Sequence, residues 1–482
     1  MENIPDQLLL YQFPVMDQKF SVNYRYILGI SLVSAMGGLL FGYDWVVIGG
    51  AKPFYEKFFD IVDYPRLQGW AMSCALAGCL IGSIISGLLS DRYGRKRLLI
   101  IAAFVFVVSA LGTGASNHFT PFVLYRILGG VAIGLASNLS PMYIAEITPA
   151  RMRGGFVSIN QLTIVIGILL AQIVNWLIAE PVPEGSSAQE ILVSWNGQRG
   201  WRWMFWAELV PASLFFMLMW IVPESPRWLA KRKKHEKAVQ ILSRLGGREY
   251  ALQEVEEIEN TLKNDTEKVN FRSLLSPGLS RVLIIGIVLA VFQQWCGINV
   301  IFNYAEEIFA AAGYGVSDTL FNIVITGSVN LVFCLIAIYS VDKIGRKVLM
   351  LMGAGGLAGV YAILGSLYYF DFKGVTVLVI ILLAIACYSM TLAPITWVLL
   401  SEIFPNRIRG AALAVATFSL WAASFILVYT FPFINRAFGT GGAIWLYGLV
   451  CIGGFIFIKK RVIETKGKSL EQIERELVNS PD

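Results

Sequence analysis

The chain has 482 residues, of which 56% are hydrophobic and 15% charged, with a formal net charge of +6 and a mean hydropathy of +0.63. Soluble domains carry about a quarter charged residues, so the composition excludes a soluble globular enzyme and describes a polytopic membrane protein. The positive charge sits mostly in short loops between apolar runs, which is topology and lipid-headgroup chemistry rather than a nucleic-acid footprint.

Residues 1–23 are polar and acidic, without a signal-peptide pattern, so the first apolar run is expected to be a retained span. Twelve apolar runs follow. Six lie near 24–48, 67–89, 98–115, 121–145, 155–178 and 201–222, and six near 281–311, 319–341, 348–369, 375–400, 411–433 and 442–458. Each is long enough to cross a hydrocarbon core of about 30 Å as a helix. The expected organisation is a cytoplasmic N-terminus at 1–23 and a six-helix half at 24–222. A cytoplasmic linker at 223–280, a second six-helix half at 281–458 and a cytoplasmic tail at 459–482 complete it.

Basic residues cluster after the even-numbered runs: Arg92, Arg95, Lys96 and Arg97 after the second, Lys231 to Lys234 after the sixth, Lys343, Arg346 and Lys347 after the eighth, Lys459 to Arg461 after the twelfth. That side is expected to be cytoplasmic, with both termini inside. The linker reads as short amphipathic helices over 232–245 and 250–262, because Ala238, Ile241, Leu242 and Leu245 form one apolar face.

The first span carries Asp44 after Gly37-Gly38-Leu39-Leu40-Phe41-Gly42-Tyr43. An ionised carboxylate inside a span needs a partner or a proton, and Arg126, entering the fourth span, is the candidate partner. A static buried ion pair is the plainer alternative.

The seventh run contains Phe292-Gln293-Gln294-Trp295-Cys296-Gly297-Ile298-Asn299-Val300-Ile301-Phe302-Asn303. Amides facing lipid would lose their water partners, so Gln293, Gln294, Asn299 and Asn303 are expected to face a polar cavity. Gln293 and Asn299 lie roughly 120° apart on a straight helix, so meeting one ligand requires a break near Gly297. Amides offer donors and acceptors together, which suits a neutral polyhydroxylated ligand.

The halves repeat. Ser90-Asp91-Arg92-Tyr93-Gly94-Arg95-Lys96 recurs as Val341-Asp342-Lys343-Ile344-Gly345-Arg346-Lys347, and Glu146 with Arg151-Met152-Arg153-Gly154 recurs as Glu402 with Arg407-Ile408-Arg409-Gly410. Two motifs at nearly one offset imply duplication, and two facing halves make a central cavity. The six cysteines lie inside apolar runs without metal-type clustering, and His118 and His235 are the two histidines. Histidine catalysis, a metal site and a disulfide framework are therefore not expected. No phosphate-binding Gly-x-x-x-x-Gly-Lys-Ser/Thr pattern occurs.

With those motifs, together with Arg126-Ile127-Leu128-Gly129-Gly130 and Pro223-Glu224-Ser225-Pro226-Arg227, the chain resembles the sugar porter family of the major facilitator superfamily, akin to the bacterial xylose–proton symporter type and the glucose facilitators. The resemblance implies an all-α polytopic fold of twelve transmembrane helices in two pseudo-symmetric halves. It implies proton-coupled import of a monosaccharide, D-xylose or a hexose such as glucose, by alternating access. A facilitative uniporter or, further off, a non-transporting sugar sensor are the rivals. No cofactor is expected beyond the proton, and the expected partners are a monosaccharide and the bilayer, with a monomer as the functional unit in a bacterial inner membrane.

By the same resemblance, an acid at Asp44 goes with proton symport. Sugar contacts would be Phe41, Gln161, Gln293, Gln294, Asn299, Asn330, Trp397 and Trp421. The pocket is a hybrid, because Ile168 stands where the xylose type has glutamine, Asn303 where tyrosine is usual, and Ala393 where glycine is usual. Asp91, Arg95, Glu146, Arg153, Glu208, Asp342, Arg346, Glu402 and Arg409 would form a cytoplasmic gate. Solvated loop charges are the plainer alternative there. Ile463 replaces a usual proline and is expected to loosen a tail contact.

Overall fold

In a computed structural model of the chain, residues 22–264, 276, 278–405, 408–468 and 470–478 are described, and they fold as α-helices joined by short turns. The first half holds α1 (Tyr24–Phe58), α2 (Pro65–Tyr93), α3 (Arg95–Ala115), α4 (Phe119–Ile147) and α5 (Arg153–Ile178). A short α6 (Ala188–Val193) and a π-turn at Asn196–Gly200 lead into α7 (Trp201–Trp206) and α8 (Leu209–Met219). The connection holds α9 (Pro226–Lys231) and α10 (His235–Asn264), the latter broken at Gly246 and Gly247.

The second half holds α11 (Leu279–Trp295), α12 (Ile298–Asn303), α13 (Ala305–Ala311), α14 (Val316–Ile344), α15 (Arg346–Tyr369), α16 (Val375–Met390), α17 (Leu392–Ile403) and α18 (Arg409–Arg461), followed by α19 (Leu470–Val478). Among the described residues, ten helical stretches are long and apolar enough to cross a membrane. At 53 residues α18 is far too long for one crossing, and Gly439, at φ +68°, divides it into two. The sixth expected span is the pair α7 and α8. Ala207 and Glu208 between them keep right-handed helical angles, but the Glu208 and Val210 N–H groups donate to Phe205 and Ala207, tightening that turn.

Local chemistry sets the ends. The Asn23 side chain accepts from the Tyr26 N–H at 3.1 Å, and Ser225 caps α9 through Trp228 N–H at 3.2 Å. The repeated motif makes one geometry twice. Gly94 ends α2 at φ +91° and Gly345 ends α14 at φ +110°, so the chain turns directly into the next helix. Only glycine adopts this conformation without strain.

In the first half α2 packs on α4 and α1 on α5; in the second, α15 and α11 both pack on α18. Gly78 and Gly82 of α2 face Gly130 and Gly134 of α4, and the missing side chains let the backbones approach. The halves meet along two seams, α2 against α18 and α5 against α14. Large apolar side chains such as Leu88, Val210 and Ile221 point outward, as a lipid-facing surface requires.

Candidate functional site

The amide stretch lies at a helix break. α11 stops at Trp295, Gly297 takes φ +89°, and α12 restarts at Ile298. The break turns the side chains on both of its sides into one hydrogen-bonded chain. Asn303 Nδ2 donates to the Asn299 carbonyl at 2.8 Å, Asn299 Nδ2 donates to Gln294 Oε1, Gln294 Nε2 to Gln293 Oε1, and Gln293 Nε2 to the Tyr388 hydroxyl at 2.8 Å. All four amides are buried. Across from them, Asn330 on α14 accepts from the Ser389 hydroxyl at 2.7 Å. Tyr388 and Ser389 end α16 just before Thr391, where the backbone leaves the helix three residues ahead of Pro394. Proline lacks the N–H that would continue the ladder, which is why the tenth span breaks there.

A narrow cavity lies between α1, α2, α4, α12 and α18. Phe41, Asn303, Trp421 and Arg126 line it, with Trp45. The other expected sugar contacts, Gln161, Ile168, Gln293, Gln294, Asn299, Asn330 and Trp397, do not line that cavity. Gln161 and Ile168 are half-buried on α5, and Trp397 on α17 is 39% exposed, against 3% for Trp421.

One wall of the cavity is charged. The Arg126 guanidinium pairs with the Asp44 carboxylate and donates through Nη2 to the Asp44 carbonyl at 3.1 Å. Both residues are buried, as is Glu208, which lies within electrostatic reach of Arg126 and of Tyr43. Glu208 was expected among the cytoplasmic gate charges, and that expectation is corrected. It lies seven residues into the helical run that starts at Trp201, about 10 Å along the helix, and so faces Arg126 in the interior. Glu208 is thus a second buried carboxylate near that guanidinium, but its Oε1 has no hydrogen-bond partner.

At the basic end of the bundle the duplication is written in hydrogen bonds. Arg95 Nη2 contacts Glu146 Oε1 at 2.8 Å, and Arg346 Nη2 contacts Glu402 Oε1 at 3.2 Å. Glu224 accepts from the Arg95 and Lys96 N–H groups at 3.0 and 3.1 Å; Glu464 accepts from those of Arg346 and Lys347 at 2.9 and 3.1 Å. The Ser225 hydroxyl donates to Glu146 and the Thr465 hydroxyl to Glu402. The tail contact forms with Ile463 in place of proline.

The remaining gate residues behave differently. Asp91 pairs with Arg95 and with Lys231. Arg153 faces Tyr250 and Glu254 of α10, and Arg409 Nε donates to the Phe404 carbonyl at 3.2 Å. The Asp342 side chain and Arg407 lie outside the described residues. Among the described residues no ion pair at this end joins one half to the other.

At the opposite end such a link exists. Lys52 Nζ lies 3.1 Å from Glu56 on its own helix, 3.1 Å from Glu306 and 2.6 Å from Glu307 on α13. Lys52 is 1% exposed. Sequence reasoning missed this cluster, along with Tyr388 and Trp45. A lysine within an apolar helix was the available signal for the cluster.

Comparison with known proteins gives one family. The family described as "Sugar (and other) transporter" matches residues 30–477. The D-xylose-proton symporter of Escherichia coli K12 is 40% identical over 94% of this chain and 96% of its own length. The glucose transport protein of a Synechocystis strain is 40% identical over 94% and 98%. The solved inward open conformation of the xylose transporter XylE from E. coli superposes with a TM-score of 0.82 at 39% identity, covering 94% of this chain and all of that one, 100%.

Proposed function

The chain belongs to the sugar transporter family, and on that premise we propose that it is a proton-coupled monosaccharide symporter that imports D-xylose or a hexose such as glucose. The observation that carries the proposal is the buried Asp44–Arg126 pair on the wall that also holds Phe41, Asn303 and Trp421. The Asp44 carboxylate is held ionised inside the membrane by Arg126 alone, and a buried charge is expensive without a partner. A proton supplies the partner. Protonated Asp44 releases Arg126, and sugar binds to the protein in that state once the adjoining cavity, about 10 Å³ and room for one water, has widened.

Movement follows from the two ends. The basic end, by its lysine and arginine bias, is the cytoplasmic one, with both termini inside and a bacterial inner membrane as the setting. Lys52 and the α13 carboxylates hold the halves together at the outer end. The Arg95–Glu146 and Arg346–Glu402 pairs each stay inside one half, so they do not hold the inner end shut. The link through Lys52 supports an arrangement closed outside and facing inward, from which sugar and proton leave to the cytoplasm before the halves rock back. A monomer is sufficient for this cycle.

The test is radiolabelled D-xylose and D-glucose uptake into proteoliposomes, with and without an inward proton gradient, for the wild type and Asp44→Asn. Gradient-driven accumulation lost in the variant, with exchange retained, supports symport through Asp44. Equal uptake with and without the gradient makes the protein a facilitator.

A further inference from the structure

Trp45 follows Asp44 on α1 and was not among the residues singled out in the sequence. About 100° separates neighbours on a helix, so Asp44 can face Arg126 while Trp45 turns into the cavity that Arg126 also lines. Its ring stacks on Phe41, with centroids 5.4 Å apart and planes 12° from parallel. Trp421, from the other half of the chain, closes the trio at 5.7 Å from Phe41 and 6.1 Å from Trp45.

The three rings make one continuous apolar wall. Trp421 and Phe41 are buried while Trp45 keeps part of its surface open. The indole N–H groups of Trp201, Trp206, Trp228, Trp295 and Trp445 donate to backbone carbonyls. Among the described residues that of Trp45 has no such acceptor, and neither has that of Trp421 beside it. An indole that is half open, stacked and still holding its donor is suited to a ligand that presents C–H and O–H groups on one face.

We propose that Trp45 contacts the transported sugar and sets its class. Its face stacks on the pyranose ring and its N–H donates to a sugar hydroxyl, while the wall it forms with Phe41 and Trp421 selects pentopyranoses over hexopyranoses. The inference rests on the sugar-transport reading. A hexopyranose differs from a pentopyranose by the hydroxymethyl group on C5. Against this wall that group meets aromatic carbon, and its hydroxyl loses water without gaining a protein partner. The rings are already in contact with one another, so room for the group opens only if they part. A D-xylose ring carries no such group.

The test is calorimetric titration of the purified full-length protein with D-xylose and with D-glucose. The wild type is expected to bind D-xylose at least about tenfold more tightly than D-glucose. Trp45→Phe keeps the aromatic face and loses the N–H, so it weakens both sugars and holds their ratio within about twofold. Trp45→Leu opens the wall and lowers the ratio at least about fivefold. A leucine variant with the wild-type ratio overturns the proposal, and so does a wild type that binds D-glucose as tightly as D-xylose. The wild-type ratio decides alone if the leucine variant fails to fold. A well-folded wild type that binds neither sugar overturns the transport reading itself, and the assignment of Trp45 with it.

Discussion

Lys52 Nζ on α1 lies 2.6 Å from Glu307 Oε1 on α13, and this contact ties the first half of the chain to the second. Glu56 and Glu306 share the same ammonium group. Removing one partner of a buried ion pair costs about 3–5 kcal/mol, because the remaining charge is stranded. Lys52→Met therefore strands three carboxylates whenever the outer end is closed. The variant is expected to shift towards a state open at the Lys52 end by about 3 kcal/mol. Spin labels at Asp63→Cys and Lys373→Cys, both exposed positions near that end, report it as a longer distance than in the wild-type background. An unchanged distance distribution contradicts the role given to Lys52.

Tyr388 anchors the amide chain through the hydroxyl that accepts from Gln293. Tyr388→Phe leaves a buried amide N–H without its acceptor, at a cost of about 1–3 kcal/mol. Gln293, proposed as a sugar contact, then loses the partner that fixes its amide. Sugar affinity measured by titration is expected to fall about tenfold, and the melting midpoint is expected to fall with it.

Gly297→Ala tests the break in span seven. The backbone there sits at φ +89°, and an added Cβ would come within 2.7 Å of the Tyr447 Cβ. Strain of that kind costs about 1–3 kcal/mol and no flexible side-chain tip can yield to relieve it. The alanine variant is expected to melt lower and to lose sugar binding, since α12 can no longer turn Asn299 and Asn303 towards Gln294. Retained affinity would mean that the break does not shape the site.

Glu464 predicts a pH dependence. Burial alone would raise its pKa, but the N–H groups of Lys466, Arg346, Lys347 and Val348 outweigh that effect and hold it below the ordinary value of 4.5. A carboxylate with a depressed pKa contributes stability above the unfolded value and loses it as pH falls through the folded one. Glu464→Gln is therefore expected to lower the melting midpoint at neutral pH. The difference from wild type should begin to shrink as pH falls below the ordinary value of 4.5 and vanish only below the depressed folded value, where both side chains are neutral. A difference that persists unchanged into acid would assign the effect to packing.

How much of this was legible beforehand depended on the range of the interaction. The amides between Gln293 and Asn303 lie on one stretch of chain, and helix geometry alone required the break that Gly297 supplies. The paired motifs around Gly94 and Gly345 were legible because duplication wrote them twice. The Lys52 cluster was hidden, because Glu306 and Glu307 lie more than 250 positions away and meet it only when the halves pack. Glu208 was misplaced for a different reason. The resemblance alone set it among the gate charges, although its depth in the run from Trp201 places it among apolar side chains. Trp45 and Tyr388 belong to apolar helices in which aromatic residues ordinarily pack the core, so only the cavity and the hydrogen bond reveal them.

The pairing of Asp44 with Arg126 is tested most directly by following protons rather than sugar. In weakly buffered, de-energised proteoliposomes, D-xylose added outside should draw protons inward and produce a transient alkalinisation at a pH electrode. Asp44→Asn should bind the sugar and produce no such signal. Sugar entry in the wild type without any alkalinisation, or the same alkalinisation in Asp44→Asn, would contradict proton coupling through this pair.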